Sequence, residues 1–297
     1  MDAGRENEVA ETDSTTEPDG QHSESSGQLT QTLDSPLAGS PTFVYAVGQV
    51  QLRFPSVAVE KEFSQVIGRA GTAGLTDHAA LEAVLSDRAN RYLVRQVCWV
   101  FVIEGVETYL LTPRDPADLE LLVQSVRARP DPTDLDLVVG VLGPLSPPEA
   151  CGLVVPIVAF DQLYSFDRDT LLGAIPRPEG LAKKDEQQFR ATAAELLDRI
   201  MQLADNAGAT DEHRALNYLT VRYPVIYAQT AAAHAGNSSL TAVDVRPSRL
   251  GGVRTVVDVI FAYTHRQTDV TEKHFVRVDV TEEFPFLVTK LSPYYDR

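Results

Sequence analysis

The sequence predicts an α+β protein, with an N-terminal α/β half, a helical hub and a C-terminal antiparallel β-meander. Strand-like and amphipathic stretches alternate from Phe43 to Ile175. A polar-rich helical stretch, Leu203–Tyr227, follows them, and period-two patterning then runs from Leu240 to Leu291. Strands and helices first and strands alone afterwards is the order of an α+β chain.

The first folded element is a strand over Phe43–Phe54, with Val44, Ala46, Gly48, Val50 and Leu52 on one face and Pro55 ending it. Ser56 caps a helix to about residue 70, on which Val59, Phe63, Val66 and Ile67 form a stripe. A second helix starts at Thr76 and turns Leu81, Val84 and Leu85 inward. Arg91–Ile103 reads as a buried strand that returns through Glu104-Gly105 into Val106–Leu111. Asp115-Pro116 is a cap followed by a first-turn proline, opening a helix that buries Leu119, Leu122, Val123 and Val126. Leu135–Leu142 reads as a central strand and Gly152–Phe160 as another, with Asp161–Phe166 leaving the sheet and Asp167 capping a short helix to Ile175.

Two prolines, a glycine and clustered charge mark Pro176–Lys184 as a boundary. The expected organisation is therefore a disordered acidic tail over residues 1–40, an α/β subdomain over 41–176, and a helix-plus-meander subdomain over 177–297. Asp185–Ala204 is an amphipathic helix, and Thr210 caps the next one, with Asp211 and Glu212 in its first turn. Leu216 and Leu219 share a face of that helix, Tyr218 and Arg222 pair beside them, and Pro224 kinks or ends it. Val225–Ala235 continues helically, and four strands follow at Leu240–Val245, Val253–Tyr263, His274–Val280 and Phe284–Leu291.

Composition bounds the function. With 297 residues and 43% hydrophobic side chains the chain fills a real core, and its net charge of −16 argues against a binder of nucleic-acid backbones. In the first forty residues nine acids stand against Arg5 alone, within a Ser/Thr/Gln/Gly-rich composition too polar to bury itself. No secretory signal or membrane-length apolar run is legible, so the expected location is the cytoplasm, with no membrane partner. In that compartment Cys98 and Cys151 are expected as free thiols, Cys98 in the core and Cys151 on a loop.

The residues also carry a resemblance. FPSVAVEKEF, FDQLYSFDRDTLLGAIPRPEG, the hub LADNAGATDEHRALNYLTVRYPVIY and the long C-terminal stretch from LTAVDVRPSRLGG to SPYYDR resemble the C-terminal domain of unknown function of cyanobactin maturation proteases of the PatA and PatG types. The resemblance runs nearly collinearly from Phe43 to Arg297. It implies a place in the biosynthesis of ribosomally made, post-translationally modified peptides. It implies no protease or macrocyclase activity here, because no subtilisin-type serine motif is present and no protease domain stands beside this segment.

Candidate residues fall into three sets. Asp211 and His213, with Asp205 and Arg222 nearby, are a pocket candidate for general base chemistry, although a capped first helical turn explains the same residues. Cys151 is a nucleophile candidate only if a base stands beside it. Arg246, Arg249 and Arg254, around a probable hairpin turn, form a candidate basic edge for acidic groups of a peptide, and an open edge of the meander is a candidate for strand addition. His265 and His274 are too few for a metal site by themselves, so neither a metal nor a cofactor is expected. The reading that follows is a non-proteolytic accessory protein binding precursor peptide or a peptide-modifying enzyme. The alternatives are an enzyme acting on the precursor with a pocket near His213, and a dimerising scaffold, for which homodimerisation stays open.

Overall fold

A computed structural model describes residues 41–69, 72, 74–175, 186–202, 205–250 and 252–295. The expected tail, residues 1–40, and the expected boundary at 176–184 lie outside the described residues. The α+β class holds, with two sheets and eight α-helices among the described residues.

The first sheet closes on itself. Strands β1 (Phe43–Arg53), β2 (Cys98–Ile103), β3 (Val106–Pro113), β4 (Asp134–Leu145) and β5 (Pro156–Asp167) form a barrel in the order β1-β2-β3-β5-β4, with β4 returning to β1. Only β3 and β5 run parallel, so this is the five-stranded arrangement of an OB-type barrel. Closure requires close backbone approach at a bulge. Gly140 stands at the register shift between β4 and β5, where a Cβ would lie 2.4 Å from the Ala159 carbonyl oxygen.

The interior follows the pattern read from β1. Val44 and Ala46 point inward with Trp99, Phe101, Tyr109, Val138 and Phe160. Helices α1 (Val57–Arg69), α2 (Asp77–Ser86), α3 (Arg91–Val94) and α4 (Leu119–Ser125) add Phe63, Leu85, Leu93 and Leu122 to the same core. Two expectations change here. The run expected as a strand from Arg91 begins as α3 and becomes β2 only at Cys98, because Asp87 caps a 3-10 turn that feeds directly into a helical turn burying Leu93 and Val94. Residues 161–166 do not leave the sheet: β5 stays paired with β4 as far as Asp167, which a closing barrel demands.

The β4–β5 loop folds over the outer face of β2 and β3, placing Ala150, Leu153 and Val155 against Val100, Val102 and Leu110. Strands 2 and 3 present the usual ligand face of an OB barrel, and here the loop covers it. Its two ends are stitched by Ser146, whose backbone N–H donates to the Val155 carbonyl at 2.8 Å and whose hydroxyl accepts from the Val155 N–H at 3.1 Å. A disulfide joins Cys98 on β2 to Cys151 on the loop, with a Cα–Cα separation of 6.3 Å. The expectation of two free thiols is thereby corrected. The fold places the loop cysteine directly over the strand cysteine, a juxtaposition of residues 53 apart that spacing alone does not reveal.

Beyond the barrel come α5 (Arg168–Ala174), α6 (Glu186–Met201), α7 (Asp211–Arg222) and α8 (Val225–Ala235), then the antiparallel sheet β6 (Ser238–Pro247), β7 (Val256–His265), β8 (Thr271–Asp279) and β9 (Phe286–Pro293). One face of that sheet, Val257, Val259, Phe261, Val276 and Val278, packs on the helices through Leu196, Ile200, Leu216, Leu219 and Tyr227. Helix α7 is buried on two flanks. Leu216 and Leu219 face the sheet, while Tyr218 and Val221 meet Tyr45, Val47, Leu137 and Val139 on the outside of the barrel.

Replacing both cysteines by serine is expected to lower stability by roughly 2–4 kcal/mol, the range for a cross-link closing a loop of this length. Chemical denaturation of the oxidised protein against the C98S/C151S variant measures it, and hydrogen exchange should lose protection first over residues 146–155. Equal denaturation midpoints would show that the cross-link contributes nothing.

Candidate functional site

The best-connected polar site lies where α7 meets the barrel and the second sheet. Thr210 caps α7 by accepting from the His213 N–H at 3.2 Å, and Asp211 and Glu212 occupy the first turn as expected. One turn in, Arg214 is only 2% exposed. A buried guanidinium near a helix N-terminus opposes the helix dipole, so it must be held by acceptors. It donates to the carbonyls of Val280 (2.8 Å), Glu283 (3.3 Å) and Glu282, pairs with Asp211 at 3.4 Å, and lies over the Phe43 ring at 5.2 Å. Burial pushes its pKa below the usual guanidinium range, and the Asp211 carboxylate opposes that shift. One side chain thus ties the β8–β9 connection to the start of β1.

The tether brings Glu283 against the barrel. Arg114, just after β3, reaches Asp161 on β5 at 2.6 Å and Glu283 at 3.4 Å. The Glu283 carboxyl is pushed up to about 7, by burial first and by its hydrogen bond to Asp161 next, with Arg114 and Arg214 pulling the other way. A carboxyl group that titrates near neutrality beside a second carboxylate holds a proton where an ordinary glutamate has lost it.

On the other flank of α7, residues 205–210 are stitched to the barrel. Asn217 donates to the Tyr45 carbonyl at 2.9 Å and exchanges amide hydrogen bonds with Asn206 at 2.7 and 3.1 Å. The Tyr109 hydroxyl donates to the Ala207 carbonyl, and the Tyr45 N–H to that of Gly208. Gly208 is demanded twice: its φ is +71°, and a Cβ would stand 2.5 Å from the Tyr45 carbonyl oxygen. Beside this segment opens a largely apolar pocket of about 440 Å³, lined by Ile103, Val106, Met201, Asn206 and Ala207, with Asp205 among its walls.

Of the residues expected to share a pocket, Asp205, Asp211 and His213 lie near the start of α7 in different roles, while Arg222 stands apart. Asp205 lines the pocket just described, Asp211 is occupied by Arg214, and His213 sits in the first turn, its pKa lowered by burial against the pull of Glu212 and Asp205. Arg222 stands at the far end of α7, about 14 Å along the helix from His213. There it lies over the Tyr164 ring at 4.9 Å and hydrogen-bonds Tyr45, whose pKa burial raises to about 12. Cys151 is in the disulfide, so no thiolate is available to act as a nucleophile in this form.

The three arginines of the second sheet do not converge either. Arg246 donates to the Tyr294 hydroxyl and lies over its ring, Arg254 approaches Asp279 at 3.6 Å, and Arg249 is exposed in the β6–β7 connection. His274 pairs with Phe261, not with His265, and no group of three metal-ligating side chains occurs among the described residues.

Arg114, Asp161, Arg214 and Glu283 were not singled out by the sequence. Each is a charged residue in an unremarkable local context, and only the fold brings them together from four elements. The polar residues of Leu203–Tyr227, by contrast, did signal a junction.

The comparisons with known proteins bear on this junction. Residues 183–294 match the family described as PatG C-terminal. That segment holds α6 to α8 and the whole second sheet. A solved structure, described as the PatG domain of unknown function, superposes with a TM-score of 0.69 at 20% identity, covering 86% of this chain and 99% of that one. The shared fold therefore takes in much of the barrel as well as the matched segment. No curated protein matches the chain. The resemblance read in the sequence is borne out, and it links the chain to the cyanobactin-type maturation proteins through a domain of unknown function.

Glu283 has a folded pKa of about 7 above a reference value of 4.5, so its contribution to stability is complete below about 4.5 and is lost as pH rises through about 7. Urea midpoints of the wild type and Glu283→Gln, measured between about pH 4.5 and 8, should therefore diverge, the wild type alone losing this component as pH rises. A pH-independent difference would show that no proton is held there. Asn217→Ala leaves the Asn206 amide and the Tyr45 carbonyl without their partner, at an expected cost of roughly 1–3 kcal/mol in thermal or chemical denaturation.

Proposed function

We propose that this protein is a non-proteolytic accessory module of ribosomally synthesised, post-translationally modified peptide production, and that it captures an extended segment of a precursor peptide by strand addition. The observation that carries the reading is the edge strand β9. It ends the sheet order β6-β7-β8-β9, and its alternate residues Phe286 and Val288 are each 45% exposed, with Phe284 just before the strand at 48%. An added strand would gain backbone hydrogen bonds along β9, and the alternating apolar side chains would select its sequence.

The opposite edge offers less. The Arg199 guanidinium donates to the Leu240 and Thr241 carbonyls of β6 at 2.5 and 2.7 Å, whereas on β9 one N–H, that of Leu291, is taken by the Tyr223 hydroxyl at 3.0 Å; both edge strands carry register shifts and end in proline. The match of residues 183–294 to the PatG C-terminal family supports the pathway assignment, since β9 lies inside it. In this reading Arg249 adds an exposed charge for acidic residues of the peptide.

Fluorescence anisotropy of a labelled precursor peptide tests it. Phe286→Glu and Val288→Glu change exposed side chains and should leave the fold intact while weakening capture by roughly tenfold or more, the scale of losing one buried apolar anchor. Unchanged affinity in both variants would reject β9 as the binding edge. Concentration-dependent dimerisation abolished by the same variants would point to a scaffold instead.

A further inference from the structure

On the barrel, away from β9, three arginines gather around one opening. Arg88 belongs to the 3-10 turn Arg88–Asn90, Arg91 opens α3, and Arg95 caps its C-terminus. Their spacing of three and four residues along continuous helical backbone puts them on one side. Together with Pro116, Ala117, Leu119 and Glu120 they line a pocket of about 320 Å³.

The charges there do not cancel. Glu120 pairs with Arg91 through one terminal nitrogen, while the other, Nη1, is buried with no hydrogen-bond partner. Among the described residues no carboxylate pairs with Arg88 or Arg95. The two acids that precede these turns are committed elsewhere: Asp87 accepts from the Ala89 N–H at 2.9 Å and Asp115 from the Ala117 N–H at 2.8 Å. Three guanidiniums and one carboxylate line the pocket itself, in a chain whose net charge is −16, while Asp87 and Asp115 keep their charge beside it in sequence. The exposed Arg88 and Arg95 forks are free to take an oxyanion seated in the pocket through charge-assisted hydrogen bonds.

We infer that Arg88, Arg91 and Arg95 form a binding site for a phosphoryl group. The lining holds three guanidiniums to one carboxylate, which favours an anion with several charged oxygens over a single carboxylate. Three forks also suit a tetrahedral group with several acceptor oxygens, while Pro116, Ala117 and Leu119 offer apolar contact to whatever bears it. The site is independent of the peptide edge, and either can fail without the other.

Titration of the whole protein with pyrophosphate at constant ionic strength, followed by calorimetry and by amide NMR shifts, tests the assignment. The expected result is saturable binding of one equivalent, with shifts centred on residues 88–95 and 116–120. Arg88→Ala and Arg95→Ala should each weaken it by about tenfold, the scale of one charge-assisted hydrogen bond. Both side chains are exposed, so the unliganded melting temperature should not move. Arg88→Lys, which keeps the charge without the fork, should fall between wild type and Arg88→Ala. Absence of saturable binding, or equal affinity in all three variants, would overturn the site. Capture of a hexaglutamate peptide without pyrophosphate would overturn the phosphoryl assignment in favour of carboxylates.

Discussion

Arg214 reaches from one turn into α7 to the carbonyls of Val280, Glu282 and Glu283 beyond β8, and the helix that carries it is wedged between a barrel and a sheet. That placement imposes strict requirements on every turn of α7. Its sheet-facing flank must be apolar at Ala215, Leu216 and Leu219, and its barrel-facing flank must be apolar at Tyr218 and Val221. Between the flanks, any polar side chain loses water and needs protein partners. Arg214, through its two terminal nitrogens, and Asn217 bond backbone carbonyls of other elements, so the same interactions that hold them also fix how the elements meet. Glu283 titrates abnormally for a related reason. The Arg214 tether holds its loop against Arg114 and Asp161, where water is partly excluded.

The barrel shows how a fold's usual binding surface can be given up. In an OB-type barrel the outer face of strands 2 and 3 receives ligands. Here that face is apolar, and the β4–β5 loop, cross-linked through Cys151, lies on it. Accessible chemistry moves elsewhere: to the arginines beside α3, to the Asp205 pocket, and to the edge of the second sheet. Of the two edges of that sheet, β6 has two carbonyls taken by Arg199, and β9 has the Leu291 N–H taken by Tyr223.

Arg214 and Glu283, both with shifted titration, are tied into contacts between elements, and no group of three metal-ligating side chains occurs among the described residues. A strand edge with alternating exposed apolar residues and a separate cluster of arginines are means of holding two kinds of group. Both lie on a chain whose residues 183–294 match the PatG C-terminal family.

The amino-acid sequence by itself determined what depends on neighbours a few residues away. Thr210, Asp115 and Asp167 cap the turns they were expected to cap, and the apolar face of β1 is the one that lines the barrel. Alternation along β8 marks Val276 and Val278 as inward-facing, and the polar density of the hub marks a junction. Tertiary structure alone decided the rest. Barrel closure depends on which strand edges meet, and a strand's own pattern is the same in an open sheet. The ambiguous run from Arg91 became helical because Leu93 and Val94 pack into the barrel core. Cys98 and Cys151, and likewise Asp161 and Glu283, acquired their chemistry from proximity across long stretches of chain, and proximity of that kind leaves no periodicity to read.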